Sequence, residues 1–210
     1  CQIVDVEIES TKKRKAQDLQ RLFHPANLII SYHNFRRCPP LETIYRRLIN
    51  SGAKTIKIAT AAKNLQDNLK IFQLLHAHRR QSTRVIALAM GPAGIPSRIL
   101  GLQKGSYLTY ASPNSHRGVS SGMVAADIMR TSYQVEQLTD KTQLYGIVGS
   151  HVSVSLSPIM HNAALHAKRI NAVYVPFETQ RLTDFIKLVK HLKIQGFSVT
   201  MPFKKEIFKH

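Results

Sequence analysis

Asn27-Leu28-Ile29-Ile30-Ser31-Tyr32-His33 and Thr55-Ile56-Lys57-Ile58-Ala59-Thr60 both read as buried strands, and both carry a polar residue in apolar company. Side chains alternate faces along a strand. Leu28, Ile30 and Tyr32 therefore share one face, and Ile29, Ser31 and His33 the other. In the second segment Ile56 and Ile58 face one way, and Thr55, Lys57 and Ala59 the opposite way. A lysine inside a β-core loses hydration, which disfavours its charged form. A neutral amine is a nucleophile that condenses with a ketone to give a Schiff base. A histidine one strand away is placed to move the protons. The pair predicts carbonyl chemistry inside a barrel.

The flanking sequence alternates strand-like and helix-like segments. Strands are expected over 3–8, 28–33, 56–60, 84–90 and 106–111, with helices over 16–23, 41–50, 64–78 and 119–138 and a loop over 91–96. Pro39-Pro40 suits the start of a helix and Gly52 its end. This βαβα rhythm implies parallel strands covered by helices. Three strands carry polar groups opposite their aliphatic face: Asp5 and Glu7, Ser31 and His33, Thr55 and Lys57. An open parallel sheet buries aliphatic residues on both faces, whereas a barrel places functional side chains inside, toward the strand C-termini. The expected fold is α/β: five successive strands of a partial (β/α)8 barrel over 1–139, lacking three at the front. From Asp140 the character changes, and a second α/β unit is expected over 144–210. Its strands fall over 144–148, 172–177 and 197–200, and its helices over 159–168 and 182–192.

Composition narrows the function. The 210 residues are 43% hydrophobic and 20% charged, the balance of a folded chain. Two cysteines, Cys1 and Cys38, imply no disulfide framework and suit a reducing, cytoplasmic setting. No apolar run reaches membrane-span length. The formal net charge of +18 favours anionic partners. A basic nucleic-acid-binding protein on an enzyme-like scaffold is the alternative reading. Against it, the basic residues are dispersed, without zinc-finger spacing or a Gly-Arg-rich tail. The chain opens without methionine on a strand and stops soon after another, so it reads as an internal fragment, incompetent for turnover alone.

Arg98, in Gly94-Ile95-Pro96-Ser97-Arg98, follows the strand ending at Met90. A guanidinium there can hold a carboxylate bidentately. Together with Ser31-Tyr32-His33-Asn34-Phe35 and Lys57-Ile58-Ala59, this run resembles the type I 3-dehydroquinate dehydratases. The resemblance implies that Lys57 forms an imine with the C3 ketone of 3-dehydroquinate and that His33 is the general acid/base. It implies that Arg98 binds the carboxylate and that no cofactor takes part. Two departures stand out. Met123 occupies the glutamine position of the family's substrate-covering loop, with Ser120 or Ser121 nearby as substitutes. The family's glutamate and arginine on earlier strands have no counterpart.

In the second unit, Gly146-Ile147-Val148-Gly149 lacks the G-x-G-x-x-G pattern of a dinucleotide loop. Ser155-Leu156-Ser157-Pro158 places two hydroxyls before a helix, where serine and proline either bind an anion or simply cap. Ser198-Val199-Thr200-Met201-Pro202-Phe203-Lys204 resembles the Asn-Val-Thr-x-Pro-x-Lys motif of shikimate dehydrogenases, as the stretch from Tyr145 to Asn162 resembles their opening. That resemblance implies a carboxylate site at Ser155 and Ser157, and a substrate hydrogen bond from Thr200. Lys204 would bind a ring hydroxyl and assist proton transfer. His151, Val154 and Ser198 depart from the family's proline, histidine and asparagine. NADP is the implied cofactor, its binding domain lying outside this chain. The order of the two units resembles the fused bifunctional enzymes that convert 3-dehydroquinate through 3-dehydroshikimate to shikimate.

Overall fold

The structure, a computed structural model, describes residues 2–11, 14–113 and 122–210. In its first half the alternation of apolar and polar residues produces four parallel strands. They are β1 (Ile3–Glu7), β2 (Asn27–Asn34), β3 (Thr55–Ala61) and β4 (Arg84–Met90), side by side in chain order. The crossovers are α1 (Ala16–Phe23), α2 (Leu41–Ile49) and α3 (Gln66–His78). Parallel neighbours require such long connections. On one face of the sheet Leu28, Ile30, Ile56, Ile58, Val85 and Ala87 are buried with Leu41, Tyr45 and Leu48 of α2 and Ile71, Leu74 and Leu75 of α3. Burying one such aliphatic side chain is worth about 1.5–3 kcal/mol. The register puts Glu7 opposite Ser31, Ser31 opposite Lys57, and Lys57 opposite Ile86. The polar residues of three strands therefore form one row on the other face.

Three expectations fail beyond β4. The segment 106–111 is not a fifth strand. Tyr107 donates one backbone hydrogen bond to Val85, 2.8 Å, and the Ser106 hydroxyl occupies the next ladder position. It accepts from the Ala87 N–H at 3.4 Å and donates to the Leu108 carbonyl at 2.7 Å. A side chain thus takes the bonds a strand would have made. Among the described residues the sheet therefore has four strands where five were expected. The loop expected over 91–96 is shortened by α4 (Ile95–Leu100), whose second residue is proline, a good first-turn residue.

Of the helix expected over 119–138, the part within the described residues, 122–138, shrinks to α5 (Ala126–Thr131). Gly122, with φ +77°, sits where a Cβ would lie 2.2 Å from the Gly91 backbone. The chain is then extended and bridges Ala125 to Ser112 in parallel. Ser120 and Ser121 of the substrate-covering loop lie outside the described residues.

The second sheet is β6-β5-β7, all parallel: β5 (Gln143–Gly149) is central, flanked by β6 (Ala172–Glu178) and β7 (Gly196–Val199). Its helices are α6 (Ser157–Ala167), starting two residues before the expected position, and α7 (Leu182–Leu192). Val148, Val173, Val175, Phe177 and Phe185 form its core, and the same cluster takes in Leu65, Phe72, Ile95 and Ile99 of the first unit. Gln66 of α3 donates to Asp184 of α7 at 3.0 Å across this junction.

Candidate active sites

The polar row on the first sheet holds two acid–base pairs. Lys57 is buried, and its Nζ lies 2.7 Å from Asp5 Oδ2 on β1. The Tyr110 ring covers the same ammonium, 4.4 Å from Nζ to the ring centroid. Sequence reasoning left Lys57 without a partner, and the structure supplies one. His33 Nδ1 lies 2.6 Å from Glu7 Oε2, the His33 backbone N–H donates to Glu7 Oε1 at 2.8 Å, and the Ser31 hydroxyl donates to Glu7 Oε2 at 3.1 Å. Burial pushes the Glu7 carboxyl up, but the His33 side-chain and backbone bonds outweigh it and hold the group below its ordinary value. A carboxylate on Nδ1 fixes which imidazole nitrogen holds the proton and leaves Nε2 to work.

Arg98 is placed by a network behind β4. Asn68 of α3, fully buried, donates to the Ala93 carbonyl at 2.7 Å and accepts from the Ser97 N–H at 3.1 Å. The Ser97 hydroxyl accepts from the Ala89 N–H at 2.8 Å. These bonds pin the first turn of α4 to β4 and so fix the position of Arg98. The Arg98 side chain is 3% exposed, Nη1 donates to the Tyr110 carbonyl at 3.2 Å, and Nε has no partner among the described residues. Burial pushes its guanidinium below the ordinary value, though a guanidinium stays charged in proteins. No carboxylate pairs with it among the described residues, so it is a buried cation without a charged partner there. Tyr110 links the two groups, its ring over Lys57 and its carbonyl on Arg98.

Sequence reasoning missed Asp5 and Tyr110, and gave Glu7 no catalytic role. The usable signal was two acids at i and i+2 on the polar face of the strand before His33.

The second set lies at the C-terminal ends of β5 and β7, where open parallel sheets place their ligands. The Ser157 N–H donates to Ser155 Oγ at 3.2 Å, so both half-buried serines turn into the start of α6. The Ser150 N–H donates to the Met201 carbonyl at 3.1 Å, stapling the loop after β5 to the turn after β7. Thr200 donates its N–H to Val148 at 2.9 Å. Lys204 is exposed on the following turn. Tyr174 is buried, stacks on His161 at 4.3 Å and donates to Ser198 Oγ at 2.9 Å.

The glycines after β5 do not form a nucleotide cradle. A Cβ at Gly146 would lie 2.5 Å from the Phe177 ring, and one at Gly149 would lie 2.4 Å from the Thr200 methyl. Both serve close packing, so this stretch does not wrap a dinucleotide. Among the described residues, no cluster of His, Cys, Asp or Glu could hold a metal, and no helix is long and apolar enough to cross a membrane.

The type I 3-dehydroquinase profile matches residues 1–140. The chain belongs to the type I 3-dehydroquinase family. The profile of the shikimate dehydrogenase substrate binding domain matches residues 147–210. The bifunctional 3-dehydroquinate dehydratase/shikimate dehydrogenase of Arabidopsis thaliana is 33% identical over 181 residues, covering 85% of this chain and 30% of that protein. The shikimate biosynthesis protein AroDE of Chlamydia pneumoniae is 29% identical over 99% of this chain and 43% of its own length. This type I dehydroquinase chain thus spans less than half of either relative. The crystal structure of 3-dehydroquinate dehydratase from Geobacillus kaustophilus matches with a TM-score of 0.55 and 28% identity, over 64% of this chain and 53% of that one.

Proposed function

We propose that the protein to which this chain belongs dehydrates 3-dehydroquinate through a Lys57 imine and reduces the product to shikimate. The dehydratase unit would span 1–139 and the shikimate-binding unit 144–210. The supporting observation is the row Asp5–Lys57 and Glu7–His33, which brings an amine nucleophile and an oriented imidazole onto one face of the sheet.

In this reading Lys57 Nζ gives up a proton to His33 Nε2 and attacks the C3 ketone. The carbinolamine loses water as His33 moves the protons, and an iminium remains. The iminium withdraws electrons from the neighbouring C–H bond, so His33 Nε2 can take the C2 proton. The electron pair of that bond expels the hydroxyl, which leaves as water with the proton from His33. Hydrolysis of the conjugated imine returns the Lys57 amine and releases 3-dehydroshikimate. Asp5, 2.7 Å from Nζ, offsets the iminium charge throughout. Arg98 holds the substrate carboxylate.

In the second unit Ser155 and Ser157 would bind the carboxylate of 3-dehydroshikimate, Thr200 a hydroxyl, and Lys204 the hydroxyl that forms at C3. NADPH would supply the hydride, held by residues other than those described. We place the protein in the cytoplasm.

NMR of 3-dehydroquinate labelled with ¹³C at C3 tests the first step. The chain converts the ketone signal into an imine signal, and Lys57→Ala does not. An imine signal that survives Lys57→Ala refutes the assignment. For the second unit, shikimate titrated into ¹⁵N-labelled chain shifts the Ser155, Ser157 and Thr200 amides.

A further inference from the structure

At the junction of the two units lies a cleft of about 340 Å³ that the proposed chemistry does not use. Its charged and titratable lining comes from three places: Lys104 after α4, Asp140 and Lys141 in the linker, and His191 and Lys193 at the end of α7. Asp140 is engaged elsewhere, both its oxygens accepting from Arg79 Nη1 at 2.9 and 3.2 Å. Among the described residues the lysine ion pairs are those of Lys57 and Lys70, so Lys104, Lys141 and Lys193 have none.

The cations disturb one another. Burial pushes the Lys104 ammonium down; Asp140 raises it and Arg79 lowers it further, and the net shift is downward. His191 is lowered by burial, then by Lys104 and His76. One buried acceptor in its wall also lacks a partner. Gln103 lines the cleft at 6% exposure and donates through Nε2 to the Thr139 carbonyl at 2.6 Å, while its Oε1 has no partner among the described residues. A buried acceptor left unpaired is destabilising.

We infer that this cleft binds a small multivalent anion that also carries a hydroxyl donor, of the class of multiply carboxylated or phosphorylated hydroxy compounds. The carboxylates or phosphates meet Lys104, Lys141 and Lys193, and the hydroxyl meets Gln103 Oε1. Residues of both units line the cleft, so the bound anion ties the units together and stabilises the whole chain. The site also gives part of the excess positive charge of the chain a specific task.

Citrate and tricarballylate, which differ by one hydroxyl, test this by isothermal titration at constant ionic strength. Citrate binds with one-to-one stoichiometry. Tricarballylate binds about threefold or more weakly, through loss of one hydrogen bond. Lys104→Gln and Lys193→Gln each weaken citrate about fivefold or more, because a charge-assisted contact is lost, whereas Lys209→Gln leaves it unchanged. Equal binding of the two acids overturns the role of Gln103. Absence of saturable binding, or equal weakening by Lys209→Gln, overturns the site. Binding that survives Lys104→Gln and disappears in Arg98→Lys puts the anion in the dehydratase site and overturns the proposal equally.

Discussion

At the residue scale, Glu7 carries more than its place on a short strand suggests. It accepts from the His33 ring, the His33 backbone and Ser31. Its carboxyl is held below the ordinary value of 4.5. A depressed folded-state pKa contributes stability that is fully present above the unfolded value and is lost as pH falls through the folded one. Glu7→Gln therefore destabilises the chain by about 1–2 kcal/mol at pH 7, and urea denaturation at a series of pH values shows the difference from wild type shrinking as the pH falls below 4.5 and disappearing only below the lower, folded-state value. The alternation that put His33 and Lys57 on one face was legible in the sequence. The pairing of each with an acid was not, because it depends on register. Glu7 meets Ser31, and Ser31 meets Lys57, and only folded strands fix those offsets.

At the element scale, α3 positions the turn and short helix that come after β4. Asn68 ties Ala93 and Ser97 to the helix from a fully buried position. Asn68→Ala strands a carbonyl and an N–H in the interior and costs about 2–4 kcal/mol. Circular dichroism in urea reads the loss, and Arg98 loses its placement with it. In the second unit, Gly149→Ala drives a Cβ into the Thr200 methyl at 2.4 Å. It weakens shikimate binding about tenfold or more while Lys57 imine formation persists, as titration and the ¹³C signal will report. The helices α2, α3 and α7 and the strands β1 to β4 followed from periodicity and capping. The segment 106–111 did not, because its Tyr107 and Thr109 suit a strand but the Ser106 hydroxyl takes the ladder's bonds. The long helix expected after residue 119 failed at Gly122, whose backbone rests against Gly91, a contact between distant positions that local pattern does not encode.

At the scale of the whole molecule, two sheets share one core. Leu65, Phe72 and Ile99 from the first unit join Val148, Phe177 and Phe185 from the second. Phe185 is fully buried and packs on Phe177 at 5.2 Å and on Phe197 at 4.8 Å between ring centroids. Phe185→Ala costs about 3–5 kcal/mol and lowers the unfolding midpoints reported from both sheets together. Separate midpoints for fluorophores in β2 and β6 would contradict a shared core. The apolar junction between the two sheets was not readable in the sequence, since each helix shows only that it has a buried face. The central claim spans all three scales: a parallel sheet whose inner row makes Lys57 a Schiff-base nucleophile. Borohydride reduction in the presence of 3-dehydroquinate, followed by peptide mass mapping, tests it most directly. The account predicts a reduced adduct on the peptide containing Lys57, absent in Lys57→Ala and slowed about tenfold or more in His33→Ala. An adduct on another lysine, or none from chain whose circular dichroism shows it folded, would contradict it.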